Sequence, residues 1–79
     1  MNVCILRGPR AVQSVAERAV RALKDRGIDA WEADRDAAVS ATAPRLKGTG
    51  LIITLGGDGT FLAGARLAAP RGIDRKSVV

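Results

Sequence analysis

The sequence predicts an α/β fold: a three-stranded, mostly parallel open sheet with helices packed on it. Three observations predict it. Residues 51–55, Leu-Ile-Ile-Thr-Leu, are an apolar run of strand length that leads into a glycine cluster and then into a helix-length segment ending before Pro70. An earlier run, Val3-Cys4-Ile5-Leu6, is followed at helical spacing by Val12, Val15, Ala16, Ala19, Val20 and Leu23. The alternating run Ile28-Asp29-Ala30-Trp31-Glu32-Ala33 then closes a strand–helix–strand unit, whose crossover is expected to be right-handed.

In chain order, the first strand ends in the turn Arg7-Gly8-Pro9-Arg10. Pro9 suits the first helical position, where its missing N–H costs nothing. The first helix is predicted over residues 11–26, with Gln13, Glu17, Arg18, Arg21, Lys24 and Asp25 on its polar face. Ser14 and Glu17 have capping-box spacing, which would start the helix later. The earlier start is preferred because Val12 belongs to the apolar face. Lys24 and Arg26 complement the carboxyl end of the helix dipole, and Gly27 is a natural stop. In the second strand, Trp31 is read as core or sheet cover rather than a ring that stacks on a ligand. Residues 34–47 are polar and Ala-rich; a short helix starting at Asp36-Ala37-Ala38-Val39 would be interrupted by Pro44. Gly48-Thr49-Gly50 punctuates before the third strand. In the last helix, Gly64 costs roughly 1 kcal/mol relative to Ala and allows close packing on the sheet. Arg66 is read as an exposed helix arginine that is also within reach of a phosphate.

Composition bounds the function. At 79 residues the chain makes one small domain, at a size where apolar burial is only marginally sufficient. With 47% hydrophobic and 27% charged residues it is globular rather than disordered. With one Trp, one Phe and no Tyr, the core rests on Val, Ile, Leu and Ala. The net charge of +5 suits a small anionic ligand or an Arg-rich solvated surface. It argues against a nucleic-acid partner, because no stacking aromatics accompany it. There is no His, so His-based metal sites and Ser-His or Cys-His catalysis are excluded. Cys4 stands alone, which rules out an internal disulfide. No run approaches transmembrane length, and a cytoplasmic, membrane-free setting is the expectation.

The chemistry concentrates in Gly56-Gly57-Asp58-Gly59-Thr60. Glycines between a strand and a helix permit positive φ and a close approach of ligand to backbone. The free N–H groups of the following helix favour an anion, usually a phosphate. Asp58 separates this stretch from a generic phosphate loop. A carboxylate there either holds a divalent metal that bridges to phosphate oxygens or accepts the proton of a hydroxyl about to be phosphorylated. The bland alternative is that Asp58 only shapes the turn. Neither a dinucleotide fingerprint nor a Walker A loop is present: no glycine follows three positions after Gly50, and none directly precedes Lys76-Ser77.

Residues 55–62, Leu-Gly-Gly-Asp-Gly-Thr-Phe-Leu, resemble the signature of the NAD kinase family. That family shares Gly-Gly-Asp-Gly-Thr with the diacylglycerol and sphingosine lipid kinases, and phosphofructokinases carry a relative of it ending in Ser. The flanks, Phe61-Leu62 and then Ala65-Arg66, resemble the NAD kinase continuation. The Asn-Glu or Glu-Val of the lipid kinases does not follow the threonine. The resemblance implies a truncated Rossmann-like N-terminal domain over residues 1–73. It also implies ATP-dependent phosphorylation of the 2′-hydroxyl of the adenosine ribose of NAD, giving NADP, with a divalent metal such as Mg. Asp58 would accept the proton or contact the nicotinamide-side ribose. Gly56, Gly57, Gly59 and Thr60 would bind nucleotide phosphate, with Thr60 also capping the helix. No protein metal ligand set is implied. ATP or polyphosphate would be the donor, and the intact family generally forms homo-oligomers.

The chain departs from the family in two places. Ala63 stands where the family carries an arginine. After Arg71-Gly72-Ile73, the family's next strand is replaced by residues 74–79, Asp-Arg-Lys-Ser-Val-Val, read as a divergent tail. The second domain, with its Asn-Glu or Asn-Asp motif, is not part of the chain, so a truncated form is expected. The alternatives are a fragment of a lipid or sugar kinase with the same motif, and a non-catalytic nucleotide-binding fragment.

Overall fold

The computed structural model describes residues 2–9, 13–36 and 42–78. The described strands are β1 (Asn2–Arg7), β2 (Asp29–Asp34), β3 (Thr49–Leu55) and β4 (Asp74–Val78). They form one sheet in the order β2-β1-β3-β4, with every neighbouring pair parallel. Helices α1 (Gln13–Asp25) and α2 (Asp58–Ala68) cover its two faces. The fold class is the predicted one, but the sheet has four strands rather than three. The extra strand opens with Asp74, Arg75 and Lys76, all exposed, and lies on the sheet edge. Charge on an edge strand blocks pairing with other chains, and it also removes the apolar alternation that identifies a strand in sequence.

β1 is buried on both faces, as expected of a central parallel strand. Val3 and Ile5 point to one side, where Ala16, Val20 and Leu23 of α1 pack on them. Cys4 and Leu6 point to the other, against Leu67 and Ala68 of α2, with Leu46 and Ile73 closing the layer. Trp31 covers this second layer as predicted; its Nε1 donates to Asn2 Oδ1 at 2.7 Å, and Arg45 lies 4.2 Å from its ring centroid. Gly64 sits directly on the sheet, where a Cβ would come within 2.6 Å of Thr54 Cγ2.

Both helices end in the same device. Ile28 N–H reaches Leu23 O and Gly27 N–H reaches Lys24 O at the end of α1. Ile73 to Ala68 and Gly72 to Ala69 repeat the pattern after α2. Gly27 and Gly72 take φ of 77° and 65°, the left-handed turn of a Schellman motif. Gly27 is thus the stop the sequence predicted. Gln13 and Ser14 lie inside α1, which rules out the later start; residues 10–12 lie outside the described residues.

One expectation for α1 needs correction. Val15 was placed on the buried face of α1 but is 47% exposed. The helix lies over β1 and β2, and Val15 turns to its flank, beside Ile53 and Leu55 of β3. At Pro44 the chain follows expectation: Thr42 is helical, and the backbone changes to a 3-10 turn over Ala43–Leu46. The short helix expected from Asp36 falls mostly on residues 37–41, outside the described residues, and Asp36 itself is in a turn.

Candidate phosphate-binding site

The strand order fixes where a ligand belongs. β1 is followed in space by β2 on one side and β3 on the other, so their connections leave in opposite directions. In an open α/β sheet the crevice beyond the carboxyl ends of such strands is the binding position. Arg7, Asp34 and Leu55 lie in register at that end. The three loops leaving it are fastened to one another. Gly8 N–H donates to Leu55 O at 3.0 Å, and Arg35 N–H donates to Arg7 O at 2.9 Å.

Between these loops lies a cavity of about 280 Å³, lined by Gly8, Pro9, Arg35, Gly56, Gly57 and Thr60. Gly56 has φ of 145°, a conformation that side chains rarely adopt, and a Cβ there would press to 2.7 Å from Thr60 Oγ1. A Cβ at Gly8 would collide with the same hydroxyl. Both glycines are therefore required by the close approach of loop backbone to Thr60. Gly57 caps α2, with Thr60 and Phe61 N–H both donating to its carbonyl at 3.1 and 3.2 Å. The N–H groups of Asp58 and Gly59 precede the first intrahelical bond and stand at the positive end of the helix dipole.

The motif residues do not all occupy equivalent places. Gly56, Gly57 and Thr60 line the cavity. Asp58 and Gly59 lie beside it on the exposed first turn of α2. Asp58 is the first residue of the helix, where its charge complements the dipole. Thr60 is only 1% exposed and does not cap the helix: the cap position belongs to Gly57, and no side-chain capping bond is present. Its hydroxyl is directed at the loop glycines and accepts from Arg35 Nη1 at 3.4 Å. Arg66 is exposed, as predicted, and borders a neighbouring cavity of about 380 Å³ with Ala63, Arg35 and Arg71.

Sequence reasoning missed Gly8, Pro9 and Arg35. A signal for them existed. Once residues 3–6, 28–33 and 51–55 are read as parallel strands, the loops after them must share one end of the sheet. Among the described residues no group of three potential ligands could hold a metal ion. A single exposed carboxylate, Asp58, still suits magnesium, which is commonly held by one or two carboxylates together with substrate phosphates.

The class is thus a doubly wound α/β domain with a glycine-lined cavity and a helix N-terminus at its switch point. Among proteins of known activity, the chain is similar to NAD kinase 1 of Streptomyces avermitilis, with 42% identity over 71 residues covering 82% of this chain and 20% of the relative. The chain thus spans about a fifth of the length of that curated relative. The resemblance to NAD kinases read from the motif is therefore shown over most of the chain. No family model matches, and no solved structure matches. Among the described residues no helix is long and apolar enough to cross a membrane.

Proposed function

We propose that this chain is the N-terminal α/β part of an NAD kinase. Its motif serves the transfer of the γ-phosphoryl group of ATP to the 2′-hydroxyl of the adenosine ribose of NAD. The carrying observation is the position of Gly56-Gly57-Asp58-Gly59-Thr60: a glycine-lined cavity and a helix N-terminus at the switch point, in a chain similar to an NAD kinase.

In this reading the backbone of Gly56, Gly57 and Gly59 approaches a nucleotide phosphate, and the N–H groups opening α2 offset its charge. Thr60 holds the loop closed over the cavity through its buried hydroxyl and supplies that hydroxyl to the phosphate. Asp58 stands outside the cavity wall, where it accepts the proton as the ribose oxygen bonds to phosphorus and the bond to the ADP oxygen breaks. In the other role open to it, Asp58 would hold magnesium together with phosphate oxygens, and the metal would neutralise charge on the transferred group.

The aspartate is solvent-exposed and is not part of the packed core, so its removal leaves the fold standing. Asp58→Asn, placed in a full-length relative carrying the motif, is expected to abolish NADP formation with no loss of thermal stability beyond about 1 kcal/mol, the scale of a helix-dipole charge. Turnover at the unsubstituted level would sink the catalytic assignment. Product analysis with NAD, diacylglycerol and fructose 6-phosphate separates this reading from a lipid or sugar kinase. The short span of the similarity favours a second reading for the chain by itself: nucleotide binding without turnover. Binding of ATP or NAD without formation of NADP by the 79-residue chain would support it.

A further inference from the structure

We infer that Arg35 is the cation that reads a diphosphate group at this site, an inference that rests on the phosphate-binding reading of the motif. Arg35 is the first residue after β2, and nothing in the glycine motif points to it. Its backbone is fixed by the N–H bond to Arg7 O, so its side chain departs from a constant place at the carboxyl end of the sheet. The guanidinium lies against Gly59. A Cβ on that glycine would stand 2.5 Å from Arg35 Nη1, so the absence of a side chain at Gly59 is what lets the arginine reach the motif. Gly59 therefore serves the arginine as well as the loop.

Among the described residues the guanidinium has only long polar contacts. It carries five N–H donors. One faces Thr60 Oγ1 at 3.4 Å, and Nε lies 3.5 Å from Asp36 Oδ1, both at the outer limit of hydrogen bonding. Asp36 is exposed and its pairing is solvent-screened. Among the described residues lining the glycine cavity, Arg35 is the sole cation. It also borders the adjacent cavity of about 380 Å³, where Arg66 and Arg71 outnumber the carboxylate of Asp34. One side chain therefore stands between two openings, one glycine-lined and one arginine-lined. A diphosphate fits this arrangement: one phosphoryl group against the glycines, the other toward Arg66 and Arg71, and the planar fork of Arg35 between them.

The test is a titration of the ¹⁵N-labelled 79-residue chain with inorganic pyrophosphate, following the amide signals of Gly56, Gly57 and Gly59. Unsubstituted protein is expected to show saturable shifts at these glycines. Arg35→Gln is expected to weaken binding about tenfold, the loss typical of one charge-assisted contact. Arg35→Lys restores part of it, and Arg66→Gln, which removes the same charge outside the glycine cavity, weakens it less. If Arg35→Gln fails to fold, Arg35→Lys decides: affinity equal to the unsubstituted chain overturns the bidentate role. Equal pyrophosphate affinity for a folded Arg35→Gln chain overturns the inference and leaves the glycine site standing, with the arginine serving only as the neighbour of Asp36. No saturable shift in the unsubstituted chain overturns the phosphate-binding reading itself, and this inference with it.

Discussion

Gly64 and Thr54 meet at the closest point between α2 and the sheet, and their contact decides the sign of a simple substitution. Helix propensity alone predicts that Gly64→Ala stabilises by about 1 kcal/mol. The added Cβ would stand 2.6 Å from Thr54 Cγ2, and Thr54 is fully buried, so one of the two elements must move. Overpacking of this kind costs about 1–3 kcal/mol. Gly64→Ala is therefore expected to lower the urea midpoint, and Gly64→Ala with Thr54→Ser, which removes the methyl group it meets, to recover part of the loss. A midpoint raised by the single substitution would show that α2 slides freely on the sheet. Cys4 gives a pH signature. Its burial pushes the thiol up from 9.0 to about 12, partly offset by Arg45. The unfolded chain thus ionises first, so stability is fully present below about pH 9 and falls as pH rises from there toward 12. The slope is about 1.4 kcal/mol per pH unit within that window. Cys4→Ala should flatten this decline, and a decline equally steep without the thiol would contradict its origin.

The elements were legible in proportion to how strongly burial patterned them. β1 is buried from Val3 to Leu6 and β3 is mostly buried from Leu51 to Leu55, and both stretches read as mainly apolar runs. α1 carried both its period and its stop at Gly27, and among its described residues the fate of Val15 was misjudged: period tells which residues share a face, but not how far the neighbouring layer extends over it. β4 was invisible because it opens on three successive exposed charged residues, Asp74, Arg75 and Lys76, which leave no apolar alternation to read there. In α2 the apolar residues are not equivalent, and substitution separates them. Leu67 is 8% exposed within the layer of Cys4 and Leu6, while Leu62 is 56% exposed. Leu67→Ala is expected to cost about 2–5 kcal/mol, and Leu62→Ala to stay within about 0.5 kcal/mol. Comparable losses at both positions in a denaturant series would mean that α2 buries a different face.

At the scale of the molecule, the site is a property of topology more than of any one loop. Gly56-Gly57-Asp58-Gly59-Thr60 stood out in the sequence because its residue types are unusual between a strand and a helix. Gly8, Pro9 and Arg35 complete the cavity from two other loops, and each is ordinary by itself. Only the parallel order β2-β1-β3 brings the three loops to one place. The same topology accounts for Arg66. It lies one helical turn beyond Ala63, the position where the NAD kinase resemblance leads one to expect arginine, and it borders the same neighbouring cavity as Ala63. The charge is thus present at the cavity although the motif position is empty of it.

The most direct test of the account is NADP formation by a chimera in which this chain replaces the segment it aligns with in the Streptomyces avermitilis NAD kinase 1. The folded chimera is expected to convert NAD to NADP with ATP, and Asp58→Asn in this chain's segment is expected to remove the activity. A folded chimera that binds ATP and NAD but forms no NADP, or one whose activity survives Asp58→Asn, would contradict the assignment of this motif to phosphoryl transfer.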